Sequence, residues 1–119
     1  MDIKPSDTQS VVRNHLQAFL EQKGIDEILS DYDDEARFVT EGKTYRGKRE
    51  IRSFFEAFIA SLPPDAIDRF SLRTMRVEGE IAYITWSAGE QILLGPDTFV
   101  IREGKIVSQT VAMHPAAMT

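Results

Sequence analysis

Few side chains in this 119-residue sequence are equipped for chemistry: it has no cysteine, two histidines (His15 and His114), and 19 acidic against 14 basic residues. Without cysteine, neither a disulfide nor a thiolate metal site can form. The histidines stand 99 positions apart, so they make no local ligand pair for a transition metal. Six acids crowd one stretch (Asp26, Glu27, Asp31, Asp33, Asp34 and Glu35), a density that invites a calcium loop. Counting from Asp31, however, Ala36 stands where such a loop needs Gly, and Gly42 where it needs a bidentate Glu. The cluster reads instead as a solvated face near Lys43, Arg46, Lys48, Arg49 and Arg52. No metal and no cofactor is expected. Acid–base work is left to Asp97 and His114, a carboxylate and an imidazole in consecutive strand-like segments that can meet across a pocket. Each also has a plain reading: Gly95-Pro96-Asp97 is ordinary turn chemistry, and His114 lies near a chain end.

The elements that would position these groups follow from the hydrophobic period. Ser6-Asp7-Thr8-Gln9 matches a capping box, and Val12, Leu16, Phe19 and Leu20 then recur at helical spacing as far as Gly24. His15 lies roughly 60° of arc from Val12 at 100° per residue, at the boundary of that stripe. A short second helix is expected from Ile25 to Tyr32. Ala36 to Thr40 and Lys43 to Arg46 flank Glu41-Gly42 as a small hairpin. Gly47 opens a third helix, in which Ile51, Phe54, Phe55, Phe58, Ile59 and Leu62 fall on one face before Pro63-Pro64 ends it.

Beyond the prolines the period changes from 3.6 to 2, predicting strands near Asp68 to Val77, Glu80 to Ala88, Gln91 to Arg102 and Lys105 to His114. Glu78-Gly79 and Glu103-Gly104 supply the turns of this meander. The inward parity switches between Phe70, Leu72 and Met75, Val77, which places a bulge near Arg73-Thr74. Gly95-Pro96 is expected to interrupt the third of these strands. Helices followed by a long antiparallel meander define one α+β domain over residues 1–119.

Charge and hydropathy narrow the partners. A net charge of −5 has the wrong sign for a phosphate-backbone binder, so nucleic acid is not expected. The opening Met1-Asp2-Ile3-Lys4-Pro5-Ser6-Asp7 lacks the apolar core of a secretion signal, and apolar runs such as Ile81-Ala82-Tyr83-Ile84 are far too short for a membrane span. A soluble, cytoplasmic protein is the expectation.

Several segments, taken in order, resemble the nuclear transport factor two-like superfamily, in particular its polyketide cyclase-like (SnoaL-like) and steroid delta-isomerase-like branches. They are Tyr32-Asp33-Asp34-Glu35-Ala36-Arg37-Phe38, the run from Tyr45 to Phe55, Trp86 within a strand, Asp97-Thr98-Phe99, Gly104-Lys105-Ile106-Val107, and His114-Pro115-Ala116-Ala117. The resemblance implies a cone-shaped, curved, mostly antiparallel mixed sheet wrapped around three N-terminal helices, with an apolar pocket at its wide end. In the isomerase pattern the proton-abstracting carboxylate falls at Thr40, which is not basic, and the pocket tyrosine of the first helix falls near His15-Leu16. The protonated oxyanion donor falls on Asp97, which matches in type. The cyclase pattern ends in a carboxylate before Pro-Ala-Ala, and here His114 stands in its place.

The resemblance therefore implies catalytic roles for Asp97 and His114, and a ligand pocket drawn from His15, Phe19, Tyr32, Tyr45, Phe54, Phe58, Trp86, Phe99, Gln109, Val111 and Met113. The aromatics among these serve equally well as plain core. Three functions stay open: a cofactor-free isomerase or aldol-type cyclase acting on an apolar carbonyl compound, a non-catalytic carrier of a small apolar molecule, and an interaction domain. A homodimer through the outer sheet face is expected if Ile106, Ser108, Thr110 and Ala112 face out while Gln109, Val111 and Met113 face the cavity.

Overall fold

Helix α1 spans Pro5–Leu20, and the side chain of Ser6, the expected cap, lies outside the described residues. The structure, a computed structural model, describes residues 5–63, 65–89, 92–112 and 114–115. Helix α1 ends where Gln22 takes a φ of 54° and the Lys23 N–H reaches back 3.0 Å to the Ala18 carbonyl. Helix α2 (Ile25–Ser30) follows and buries Ile28 and Leu29.

Strand β1 (Tyr32–Val39) starts four residues before the expected Ala36, taking in acids that seldom favour strands. Its pairing register with the sixth strand is irregular between Tyr32 and Arg37, across those acids. Strand β2 (Thr44–Arg46) pairs antiparallel with β1. The turn between them is closed by Thr40, whose hydroxyl accepts from the Lys43 N–H at 3.2 Å and donates to the Lys43 carbonyl at 2.9 Å. Helix α3 (Gly47–Ser61) buries Ile51 and Phe55, and the Glu50 carboxylate accepts the Arg46 N–H at 2.9 Å to hold its start.

The meander consists of β3 (Phe70–Glu78), β4 (Ile81–Ala88), β5 (Ile92–Arg102) and β6 (Lys105–Val111), with a short β7 (His114–Pro115). The sheet order is β2-β1-β6-β5-β4-β3, with β7 pairing β5. Neighbours within β3–β6 pair antiparallel, whereas β1 and β6 run parallel. The expected bulge is present, with the β3–β4 register slipping between Leu72 and Thr74. The β5–β6 turn places Glu103 and Gly104 at φ 53° and 76°, the paired positive values of a tight two-residue hairpin.

One expectation is met in part and one needs correction. Strand β5 is continuous through Gly95-Pro96, with Pro96 opposite Thr85, but its register against β4 slips just before the pair, between Ile92 and Gly95. The pair also marks the point where the far-side partner of β5 changes from β6 to β7. Second, Ile106 does not face outward. It is fully buried, as is Gln109, because the β5–β6 register slips between Val100 and Ile101 and the inward parity changes at Val107. Only beyond that slip do Ser108 and Thr110 take the outer side, in rows with Val100 and Ile81 and with Thr98 and Tyr83.

Helices and inner sheet face enclose one apolar cluster built around Val12, Ile28, Tyr32, Phe38, Ile51, Phe55, Ile84 and Phe99. Among the described residues no helix is long and apolar enough to cross a membrane.

Candidate functional site

A cavity of about 80 Å³ lies between α1, α3 and the inner sheet face. Its wall is aromatic: Phe19 from α1; Phe54, Phe55 and Phe58 from α3; Phe38 from β1, Phe70 from β3 and Trp86 from β4. The stripe of α3 accounts for this, since 3.6-residue periodicity sends Phe54, Phe55 and Phe58 to one side. Phe54 stacks on Phe58 with the planes 12° apart. Leu62, Ala66 and Ile67, in and after the α3 exit, close another side. Here helical turns hold the chain, including Ala66 N–H to Pro63 carbonyl at 3.1 Å, where strand period was expected from Asp68.

Among the described residues, three polar side chains reach the cavity: His15, Asp97 and Gln109. Asp97 is 7% exposed and accepts on both oxygens, from the Trp86 indole N–H at 3.1 Å and from the Gln109 amide N–H at 3.0 Å. The Gln109 carbonyl accepts in turn from the Tyr32 hydroxyl. The Tyr32 oxygen lies 3.4 Å from Nε2 of His15. With the hydroxyl proton committed to Gln109, a bond between His15 and Tyr32 needs Nε2 to donate. Nδ1 is buried without a hydrogen-bond partner among the described residues. The nearest acid, Asp31, stands 3.9 Å away, beyond hydrogen-bond range. The donors of Tyr32 and Gln109 thus point along the chain toward Asp97.

Burial dominates the electrostatics. It raises the Asp97 carboxyl from 3.8 to about 6, opposed by the hydrogen bonds from Trp86 and Gln109 that favour its charged form. Burial lowers His15 from 6.5 to about 4, against a weaker opposing pull from the Ile28 backbone. Tyr32 is pushed well above its ordinary value, first by burial and then by the Asp97 and Asp31 charges. At neutral pH the cavity therefore holds an ionised carboxylate, a neutral imidazole and a neutral phenol.

Of the residues singled out in the sequence, His15, Phe19, Phe54, Phe58, Trp86, Asp97, Gln109 and Val111 share this cavity. Tyr32 and Phe99 are fully buried behind it, Tyr32 supporting Gln109 and Phe99 packing 5.8 Å from the His15 ring. Tyr45 is not on the wall. It lies edge-on to Phe54 at 5.3 Å with the Lys43 ammonium 4.7 Å over its ring, because β2 is outermost in the sheet. The His114 backbone pairs with Leu94, while its side chain and all of Met113 lie outside the described residues. Thr40 is occupied in its turn. Leu62 is the end of the α3 stripe, whereas Ala66 and Ile67 carry no period to follow because they lie in turns. Among the described residues no three His, Cys, Asp or Glu side chains gather as metal ligands would.

Helices laid into a curved, unclosed mixed sheet over an aromatic cavity with one buried acid define a nuclear transport factor two-like protein. More narrowly, the chain belongs to the SnoaL-like domain family, whose model matches residues 12–109. That family includes isomerases and cyclases. Among solved structures, the chain is similar to a SnoaL-like protein of unknown function from Burkholderia thailandensis E264 (TM-score 0.74, 18% identity, 96% of this chain and 99% of that one). It is similar also to an NTF-2 like protein of unknown function from Burkholderia xenovorans LB400 (TM-score 0.74, 19% identity, 91% and 83% covered). A third similar structure is TerC co-crystallised with polyporic acid (TM-score 0.73, 15% identity, 91% and 92% covered). At these identities the likeness is one of fold. No curated protein matches the sequence.

Proposed function

We propose that the protein is a cofactor-free acid–base catalyst, an isomerase or aldol-type cyclase, acting on a small apolar carbonyl compound held in the aromatic cavity. The observation that carries this reading is Asp97, the one acidic side chain among the described residues of an otherwise largely apolar wall. A carboxyl held near 6 is charged at neutral pH and close enough to it to take a proton efficiently. This proposal differs from the role implied by the family resemblance, an uncharged Asp97 donating to a carbonyl. In this proposal Asp97 is the base that removes a proton from the carbon next to the carbonyl and returns it to the enolate. His114 is the second proposed proton carrier.

Size argues for a modest ligand. The cavity of about 80 Å³ is smaller than an engineered apolar cavity of roughly 150 Å³ that accommodates benzene. A short-chain ketone therefore suits it, and an aromatic or polycyclic one does not.

Acetone is a suitable probe. Saturable shifts of cavity resonances, together with exchange of its methyl protons for deuterium in heavy water that Asp97→Asn abolishes, are the expected results. Binding without catalysed exchange would leave a carrier of apolar molecules, the competing reading. Absence of both would remove the cavity as a ligand site for such ketones. We propose in addition that two copies pair through the outer face of β4, β5 and β6, where Ile81 and Tyr83 are 49% and 41% exposed.

A further inference from the structure

Gly95 is a glycine that its backbone does not require. Five other glycines take positive φ angles, but Gly95 is not among them, so an ordinary residue could adopt its conformation. What it lacks is room. A Cβ placed there would lie 2.4 Å from both Cε2 and Cζ2 of Trp86, and 2.9 Å from its Nε1. Trp86 and Gly95 are direct cross-strand partners of β4 and β5, so the indole leans across the pair onto the bare glycine backbone. Phe70 stacks on the same indole, centroids 5.7 Å apart and planes 24° apart. So placed, the indole N–H meets Asp97 two residues further along β5, while the ring forms cavity wall.

We propose that Gly95 is the positioning residue of the site: the space it leaves seats the Trp86 indole against β5, and that seat fixes both the cavity wall and the hydrogen bond that Asp97 receives. As a statement about catalysis it rests on the acid–base reading of Asp97. As a statement about the indole and the carboxyl it stands without any ligand. An alanine at 95 displaces the ring, because the neighbouring atoms are a rigid indole and a β backbone. Asp97 then loses a donor to its charged form, and its titration midpoint rises.

Trp86 is the single tryptophan of the chain, so its indole N–H gives one unambiguous NMR signal. In the parent that signal should titrate with Asp97, and a ¹³C-labelled carboxyl should report the same midpoint. Gly95→Ala should move the indole signal, reduce its response to the titration and raise the carboxyl midpoint by about one pH unit. Trp86→Leu should raise the midpoint similarly, and adding Gly95→Ala to Trp86→Leu should change it no further, since leucine carries no ring atoms to meet the new methyl. If Gly95→Ala alone does not fold, the double variant should regain the fold. Two results would overturn the proposal: an Asp97 midpoint unmoved in a folded Gly95→Ala variant, or a double variant as unfolded as Gly95→Ala alone. Neither depends on ketone binding, so failure of the proposed activity is read separately.

Discussion

His15 and Asp97 should give the protein two opposed pH dependences of stability that largely cancel. For His15 the folded value of about 4 lies below the unfolded 6.5, so between them the unfolded chain binds the extra proton. Stability from His15 is complete above pH 6.5 and falls as pH drops toward 4, by about 3 kcal/mol at 1.36 kcal/mol per unit. For Asp97 the folded value of about 6 lies above the unfolded 3.8, so between them the folded protein binds the extra proton. Its contribution is complete below 3.8 and is lost as pH rises through 6, again about 3 kcal/mol. From about pH 4.5 to 5.5 the slopes are equal and opposite. Asp31, also raised by burial, adds to the Asp97 sign, so any residual slope of the parent is a fall in stability with rising pH. Urea unfolding in quarter-unit pH steps should show the parent nearly level over that interval. His15→Leu should uncover a loss of about 1.4 kcal/mol per unit of rising pH, and Asp97→Asn a gain of about the same size. Parent and variant lines that run parallel would refute the reasoning, since neither group would then change its proton affinity on folding.

Gln109→Met removes one donor from Asp97 and the acceptor of Tyr32; the Asp97 carboxyl midpoint, read by NMR, should rise above its present value of about 6. Phe55, 4% exposed and ringed by Phe38, Phe54, Tyr32 and His15, should cost about 3–5 kcal/mol as Phe55→Ala, and Phe55→Asp should fail to fold, as circular dichroism and urea melts would show. Thr8 is fully buried and donates to the Gly79 carbonyl at 2.7 Å, so Thr8→Val should destabilise by roughly 1–3 kcal/mol by orphaning that oxygen, measurable by the same melts. Tyr83→Lys on the outer face should shift sedimentation from dimer to monomer at micromolar protein without lowering the melting temperature of the monomer; a parent already monomeric at that concentration would remove the pairing proposal.

The period of the hydrophobic residues was enough to locate the three helices and the meander, because these arise from contacts close in sequence. It misled where a register slips. Ile106 was assigned outward by counting parity back from Gln109, yet both are buried, since the slip at Val107 is invisible to a period of two. The Leu72 to Thr74 slip was readable only because apolar residues flank it on both parities. Gly95-Pro96 marks a register slip against β4 without ending the strand, because β5 exchanges one neighbouring strand for another at that point.

The polar chain inside the cone is a different kind of information. Its members stand at positions 15, 32, 109 and 97, one on α1, one at the head of β1, one on β6 and one on β5. No two of them share an element, so no spacing rule relates them. What joins them is the parallel pairing of β1 with β6, a contact between strands separated by α3 and the whole meander. Hairpin logic, which pairs neighbours in sequence, does not produce it. Yet the same pairing explains why four polar groups are tolerated among so many aromatic rings. It brings Tyr32 to Gln109, which fixes the amide so that its N–H faces Asp97 and its carbonyl does not. Were Gln109 turned the other way, carbonyl and carboxylate oxygens would face each other in an apolar enclosure, and the Asp97 charge could be kept only at a much higher pH. The fold's one long-range parallel contact is therefore also what holds the buried acid in reach of neutral pH, where a proton-transferring group has to be.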